Sequence, residues 1–352
     1  MRSPEPIVSV IIVNYNGKRY VNASVKSVFA SKTKRIEVIV VDNGSTDGSV
    51  QYLKKHYEQC KGKFTVVALD RNYGPAKARN EGVRVATGKY LGFLDNDTVV
   101  EKKWANYAIK SFGRDAKLGV IQCKLLLAKD RRVIDYVGEY LGQNGFLVQI
   151  AKAGEIDKGQ YDKPVEILAA KSAGMFIRRK TFDLIGGFDE SYFIYVEETD
   201  LGWRSWLAGY RAIFVPQSIV YHEFGTSSVL LGQGKVSFNA KFHGTKNYLQ
   251  TLFKNLDFKN LVKIYFIHMG LWLGLAVFNL FKGRIKEFVW IIMGIGWTFL
   301  HFFSMLKKRK AVQGHRRVSD SRLFDVWMKR VPFLYFVNKA TTKHKIGNAE
   351  SF

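Results

Sequence analysis

Asp95-Asn96-Asp97 sets two carboxylates on either side of one asparagine, directly after the apolar run Tyr90–Leu94. At the C-terminal edge of a buried strand, such a pair suits a divalent cation, Mg²⁺ or Mn²⁺. These ions take hard oxygen ligands and share them between carboxylates and substrate phosphates. The chemistry implied is neutralisation of charge on a diphosphate. A lone D-x-D triplet is also a common solvated turn, so its meaning rests on its surroundings. Lys77, Arg79 and Asn80 lie on one helical stretch facing the same edge and suit a diphosphate contact; a solvated helix face explains the lysine equally well. Glu197-Glu198-Thr199-Asp200 opens another helical stretch, where carboxylates also simply favour a helix N-terminus. Asp200 and Arg204, four apart, suit an ion pair. Spacing alone leaves Trp203 and Trp206 as either core residues or platforms for a ring.

Positioning these residues requires a sheet. Ile7–Val13, Ile36–Val41, Phe64–Leu69 and Tyr90–Leu94 are short, apolar and rich in β-branched residues, as expected of strands buried on both faces. Helical stretches alternate with them at about 19–30, 47–57, 75–86 and 102–112. Ser45-Thr46-Asp47 reads as a helix N-cap region and Gly88 as the glycine closing the third helix. This alternation predicts an α/β fold built from βαβ units, a Rossmann-like, mostly parallel sheet flanked by helices. Residues 120–150 read as a small mixed or antiparallel insertion. Val165–Ala170 and Gly174–Ile177 read as returning strands, 197–208 as a helix, and Arg211–Val215 and Ile219–His222 as two short strands.

The 352 residues carry a net charge of +25. From Lys241 onward there are 20 Lys+Arg against 5 Asp+Glu, an excess that points to an anionic partner. With Gly and Pro totalling 37 and no repeat period, the chain is neither collagen-like nor low-complexity. Two cysteines, Cys60 and Cys123, form no disulfide framework and suit a reducing compartment. The run Ile7–Val13 is too short, and follows Glu5, to read as a signal peptide.

Five blocks share one further likeness. They are V-S-V-I-I-V-N-Y-N (8–16), V-V-D-N-G-S-T-D-G-S (40–49), N-Y-G-P-A-K-A-R-N-E-G (72–82), G-K-Y-L-G-F-L-D-N-D (88–97) and G-G-F-D-E-S-Y-F-I-Y-V-E-E-T-D-L-G-W-R (186–204). In this order they resemble the inverting glycosyltransferase family 2, of GT-A fold, over about residues 7–225. The last block resembles the acceptor-side motif of its rhamnosyltransferase-like members. The resemblance implies transfer of a sugar from a nucleotide-diphospho-sugar, UDP- or dTDP-linked. It implies a nucleotide pocket lined by Asn14 and Asn16, with Asp42 near the base. Asp95 and Asn96 fall by the ribose and diphosphate, Asp97 is the direct metal ligand, and His222 is a second ligand of the same ion. Inverting transfer needs one base to take the acceptor hydroxyl proton. The family's aspartate position is Glu198 here, one methylene longer, with Glu197 second.

The C-terminal third differs in character. Ile264–Phe281 and Phe288–Leu306 carry no formal charge until they end, and each helix would be roughly 27–29 Å long, near the thickness of a hydrocarbon core. Gly294, Thr298 and His301 share a face suited to a helix contact. All three borders of these runs are basic, so a two-span hairpin and shallow or re-entrant helices on the cytoplasmic face remain alternatives. Leu323, Phe324, Trp327, Met328 and Val331 sit at the spacing of an interfacial amphipathic helix over about 321–331. The expected organisation is a catalytic domain over 1–240 and a basic membrane-associated region over 241–352. The expected location is the cell membrane, with the catalytic domain on the cytoplasmic side and a lipid-linked glycan as acceptor. Two other classes compete: a nucleotidyltransferase on a similar sheet, and a non-catalytic basic protein binding membrane or nucleic acid. No zinc, helix-turn-helix or RNA-binding motif is present, so nucleic acid is not expected.

Overall fold

The computed structural model describes residues 6–60, 62–152, 154–223 and 233–332. The last two residues of the resemblance and the end of the basic region lie outside the described residues. Four strands, β1 (Val8–Asn14), β2 (Ile36–Asp42), β3 (Phe64–Ala68) and β4 (Tyr90–Asp95), lie parallel in the order β4-β1-β2-β3. Helices α1 (Lys18–Phe29), α2 (Ser49–His56) and α3 (Pro75–Val85) make the crossovers. β1, β2 and β4 are buried along most of their length, and β3, at the sheet edge, is only partly so.

Beyond β4 the sheet becomes mixed. Short β5 (Thr98–Val100) and α4 (Trp104–Arg114) precede β6 (Leu118–Leu127), a central strand rather than part of an insertion. Only the stretch after it is small and antiparallel: β7 (Ile134–Tyr136) pairs with β6, and β8 (Glu139–Gly142) with β9 (Leu147–Gln149). Of the strand expected at 165–170, only β10 (Val165–Glu166) forms. β11 (Met175–Arg178) runs antiparallel between β4 and β6. After α5 (Arg179–Ile185) and α6 (Glu197–Leu207), the two strands expected at 211–222 are one, β12 (Arg211–His222), which crosses a register shift between Val215 and Ile219. The intervening break in apolar alternation, Pro216-Gln217-Ser218, is that irregularity.

Gly88 does not cap α3, which ends at Val85. It lies where the chain crosses the start of β1: a Cβ there would stand 2.6 Å from the Ser9 backbone nitrogen. The α2 N-cap is Gly48, with Asp47 accepting from the Ser49 amide at 3.0 Å and, through its other oxygen, from the Lys18 amide at 2.9 Å. One aspartate thus serves the first turns of two helices.

The C-terminal helices pack onto this sheet. α7 (Gln233–Phe238) leads through a π turn into α8 (Gly244–Asn255), a polar helix that is nonetheless buried along most of its length. Around α8 pack α9 (Phe258–Phe281), α10 (Ile285–Leu300) and α11 (Phe302–Gly314). The second apolar run is therefore not one helix: it bends by 68° between α10 and α11, at His301. Gly294 and Thr298 do line a helix contact, Gly294 against Thr245 and the Phe242 carbonyl, whereas His301 is exposed. α12 (Asp320–Trp327) ends four residues early, and Met328–Lys329 forms β13 beside β8. Part of its apolar stripe faces the fold itself: Leu323 and Trp327 are buried and the Trp327 ring meets Trp203 edge-on. Trp203 and Trp206 are accordingly core residues, Trp206 donating to the Ile167 carbonyl at 2.9 Å.

Candidate active site

Parallel pairing brings the acidic and amide side chains to one sheet edge. Asn14 pairs in register with Asp42, and Val13 with Asp95, so three strand ends present Asn14, Asp42 and Asp95 side by side. Asn14 donates to Asp42 at 2.8 Å and accepts from Asn96 at 2.8 Å. Asp42 also accepts from the Ser45 amide at 2.8 Å. Asn16, at φ 48°, accepts from the Thr46 amide at 2.8 Å. A Cβ at Gly17 would stand 1.8 Å from the Asn96 side-chain nitrogen, so a larger residue there would displace Asn96 from Asn14.

Next to this network, β5 pairs antiparallel with the end of β12, His222 opposite Thr98. That pairing brings imidazole to the D-x-D turn. His222 Nε2 lies 3.4 Å from Asp97 Oδ1, and one ligand atom each from Asp95, Asp97 and His222 falls within a 4.8 Å cluster. The other ring nitrogen lies 2.9 Å from Asp135 Oδ2, on β7. A carboxylate behind a ligating histidine fixes its ring and tautomer. Burial raises the Asp95 pKa, Arg79 counters it, and Asp97 adds to the rise; two crowded carboxylates gain by sharing a cation. Burial would lower the His222 pKa, but its bonds to Asp135 and Asp97 lift it well above the usual imidazole range. Oxygen, oxygen and nitrogen donors with a carboxylate behind the imidazole fit a divalent ion.

Across the cleft, α6 begins after two consecutive left-handed residues, Tyr195 (φ 71°) and Val196 (φ 69°). A β-branched residue there is strained, and the turn is held from α8: Asn247 donates to the Ile194 and Tyr195 carbonyls at 2.8 and 2.7 Å. Glu197 is buried, and Arg79 donates to it at 2.9 Å. Glu198 accepts from the Ser172 hydroxyl at 2.6 Å and borders a cavity of about 100 Å³ with Lys171, Tyr195 and Tyr248. Arg79 spans both acidic groups, 3.5 Å from Asp95 and 3.5 Å from Glu198. Burial and the neighbouring Glu198 push the Glu197 pKa up to about 8, against Arg79.

Of the three α3 residues expected to face this edge, Lys77, Arg79 and Asn80, it is Arg79 that lies between Asp95 and Glu198. Asn80 is committed elsewhere, donating to the Phe188 carbonyl at 2.9 Å and accepting from the Phe188 amide at 3.1 Å; it holds the turn after Gly187. Lys77 lays its ammonium over the Tyr73 ring, 4.1 Å from the centroid. Arg79 is the buried member. Asp135, Lys171 and Ser172 were not singled out at all, since they come from irregular segments whose approach to the site depends on strand pairing.

A family model described as glycosyl transferase family group 2 matches residues 90–307, more than half of the chain, and one described as glycosyl transferase family 2 matches residues 9–146. The chain belongs to this glycosyltransferase family. Among curated relatives, a Bacillus subtilis (strain 168) protein, TuaG, named as a teichuronic acid biosynthesis glycosyltransferase, is 40% identical over 97 residues. That match covers 28% of this chain and 38% of TuaG; the chain spans well under half the length of the first curated relatives it matches. Among solved structures, S. aureus TarS 1-349 in complex with UDP-GlcNAc superposes with a TM-score of 0.57 at 17% identity, covering 88% of this chain and 90% of that one. The mannosyltransferase PcManGT from Pyrobaculum calidifontis, in complex with GDP-Man and Mn²⁺, gives 0.52 at 16% identity, covering 92% and 88%. At these identities the likeness concerns the fold: the mixed α/β sheet with flanking helices is that of GT-A glycosyltransferases.

Proposed function

We propose that this family member transfers a sugar, with inversion, from a UDP- or dTDP-linked donor to a hydroxyl of a lipid-linked glycan. The observation that carries this reading is the pairing of two acidic groups across one cleft, Asp95, Asp97 and His222 on one side and Glu198 on the other, with Arg79 between them. Asn14, Asn16 and Asp42 would bind the nucleoside. Asp95, Asp97 and His222 would hold Mg²⁺ or Mn²⁺, which when bound neutralises charge on the departing diphosphate. Glu198, oriented by Ser172, would take the acceptor proton as that oxygen attacks the anomeric carbon. The bond from that carbon to the diphosphate breaks on the opposite face, and the nucleoside diphosphate leaves. Arg79 keeps Glu197 and Glu198 in place and adds positive charge beside Asp95.

The acceptor is inferred from the C-terminal helices. Phe266, Phe281, Leu300 and Phe303 are each at least 60% exposed, a larger apolar surface than a water-facing helix pair sustains. Lys259, Lys263, Lys282, Arg284, Lys286 and Lys307 flank it, as suits an anionic cytoplasmic leaflet. Only α9 is long and apolar enough to cross a membrane unbroken among the described residues, which favours shallow seating over a two-span hairpin. The naming of the relative TuaG as a teichuronic acid biosynthesis glycosyltransferase supports a bacterial cell-surface glycan, and the 186–204 resemblance makes rhamnose the first sugar to try.

The test is equilibrium binding of UDP-, dTDP- and GDP-sugars by the detergent-solubilised chain, with and without Mn²⁺, against Asp97→Ala. Metal-dependent binding of one nucleotide, lost in the variant, supports the proposal. A folded protein that binds none of them overturns it.

A further inference from the structure

The basic excess of this chain is not used up by the membrane-facing helices. A cleft of about 800 Å³ opens at the end of the sheet remote from Asp97, between the starts of β6 and β12 and the α11–α12 segment. β12 runs twelve residues from Arg211, in this cleft, to His222, so the two sites stand roughly 30–35 Å apart. Lys117 and Lys180 enter the cleft from the sheet side, and Arg317 and Arg322 from the C-terminal segment. Its one lining carboxylate, Glu166, is taken by Arg211 at 2.6 Å, and Arg211 also pairs with Asp115. Among the described residues, none of the four other cations has an ion pair.

Two consequences follow from the charge. These four like charges on separate segments line one cleft with no carboxylate paired to them among the described residues. An anion placed between them relieves the repulsion among them and ties α12 to the sheet. The floor is apolar, formed by Trp206, Leu323 and Val326. A small inorganic anion would leave that floor uncovered.

We infer that this cleft binds a phosphate-bearing anion with an apolar portion, its phosphate held by Lys117, Lys180, Arg317 and Arg322 and its apolar portion on Trp206 and Val326. The site is separate from the donor diphosphate site and does not depend on the glycosyl-transfer reading. The phosphate chemistry is common to a lipid head group and to a free polyphosphate.

The experiment measures binding of two probes, dihexanoylphosphatidic acid below its critical micelle concentration and tripolyphosphate, by calorimetry in EDTA. Wild type is compared with Asp97→Ala and with the double variants Lys180→Gln/Arg322→Gln and Lys180→Glu/Arg322→Glu. All four side chains are exposed, and circular dichroism checks that each variant is folded. Saturable binding should survive Asp97→Ala and weaken at least about tenfold in the Gln pair, the loss of one charge-assisted hydrogen bond or more. Preference for the phosphatidic acid supports the inference, and preference for tripolyphosphate, which has nothing to lay on the apolar floor, overturns it. Equal affinity in wild type and both double variants, or saturation by neither probe, overturns the inference.

Discussion

Lys254, on α8, lies 2.9 Å from Asp200, on the helix that opens with Glu197 and Glu198, and both side chains are buried. Asp200 also binds Arg204 at 2.8 Å and Asn255 at 2.9 Å. Lys254 continues to Asp189 at 2.7 Å, which in turn reaches Lys308 on α11 at 2.6 Å. Burial would raise the Asp189 pKa, but the two lysines hold it well below the usual carboxylate range. This chain of charges fastens the proposed acceptor side of the cleft to the C-terminal helices. Replacing Lys254 by Met would leave Asp200 and Asp189 short of a partner, and removal of one member of a buried pair costs about 3–5 kcal/mol. Urea unfolding of Lys254→Met should show a loss of that order; a loss under about 1 kcal/mol, the worth of a surface pair, would mean the network is dispensable.

Asn247 should matter for turnover more than for donor binding. It alone supplies side-chain donors to the Ile194 and Tyr195 carbonyls among the described residues, and so holds the left-handed pair that aims α6. Each such residue stores about 1–3 kcal/mol of strain. In Asn247→Ala the turn is expected to relax, lowering kcat while leaving the donor Kd near wild type. An equal fall in donor affinity would assign Asn247 to the donor side instead.

Glu198→Gln keeps the acceptor for the Ser172 hydroxyl but removes the proton acceptor. Transfer should fall by about 10²–10⁴, the usual contribution of a general base, with donor binding retained. Glu197→Gln preserves the acceptor for Arg79 and should lose less. If the two variants lose activity in the reverse order, Glu197 is the base.

Asp135 touches no proposed substrate group, yet it orients His222. Asp135→Asn should weaken Mn²⁺ binding by about 10–100-fold, the range for partners behind a ligating histidine. Asp97→Ala should abolish it. Manganese affinity that is the same in Asp135→Asn as in wild type would remove His222 from the metal site.

The raised pKa of Glu197 predicts a pH dependence of stability in the metal-free, donor-free protein. Because the folded state holds this proton more tightly than the unfolded chain, its contribution is fully present below about pH 4.5 and is lost as pH rises through about 8. Stability of wild type relative to Glu197→Gln should therefore fall between those limits, followed by chemical denaturation at several pH values. A difference that is flat across that window would show that Arg79 holds Glu197 ionised throughout.

The five motif blocks, the four buried strands of a parallel sheet and the acidic residues at its edge were legible in the sequence, because each depends on local chemistry; the strand order β4-β1-β2-β3 was not. β-branched runs make buried strands wherever they fall, and a D-x-D after such a strand lies at its end. Arg79 was legible only as one of three polar residues on a helix. Burial selects it over Lys77 and Asn80, and burial depends on what packs against α3. Asp135 and Ser172 reach His222 and Glu198 through pairings of strands and turns far apart in the chain, and no local pattern encodes those pairings. The same limit explains α12, whose apolar stripe read as a membrane face. An amphipathic helix requires an apolar partner, but its sequence does not say whether that partner is lipid or, as for Trp327 in this fold, the ring of Trp203.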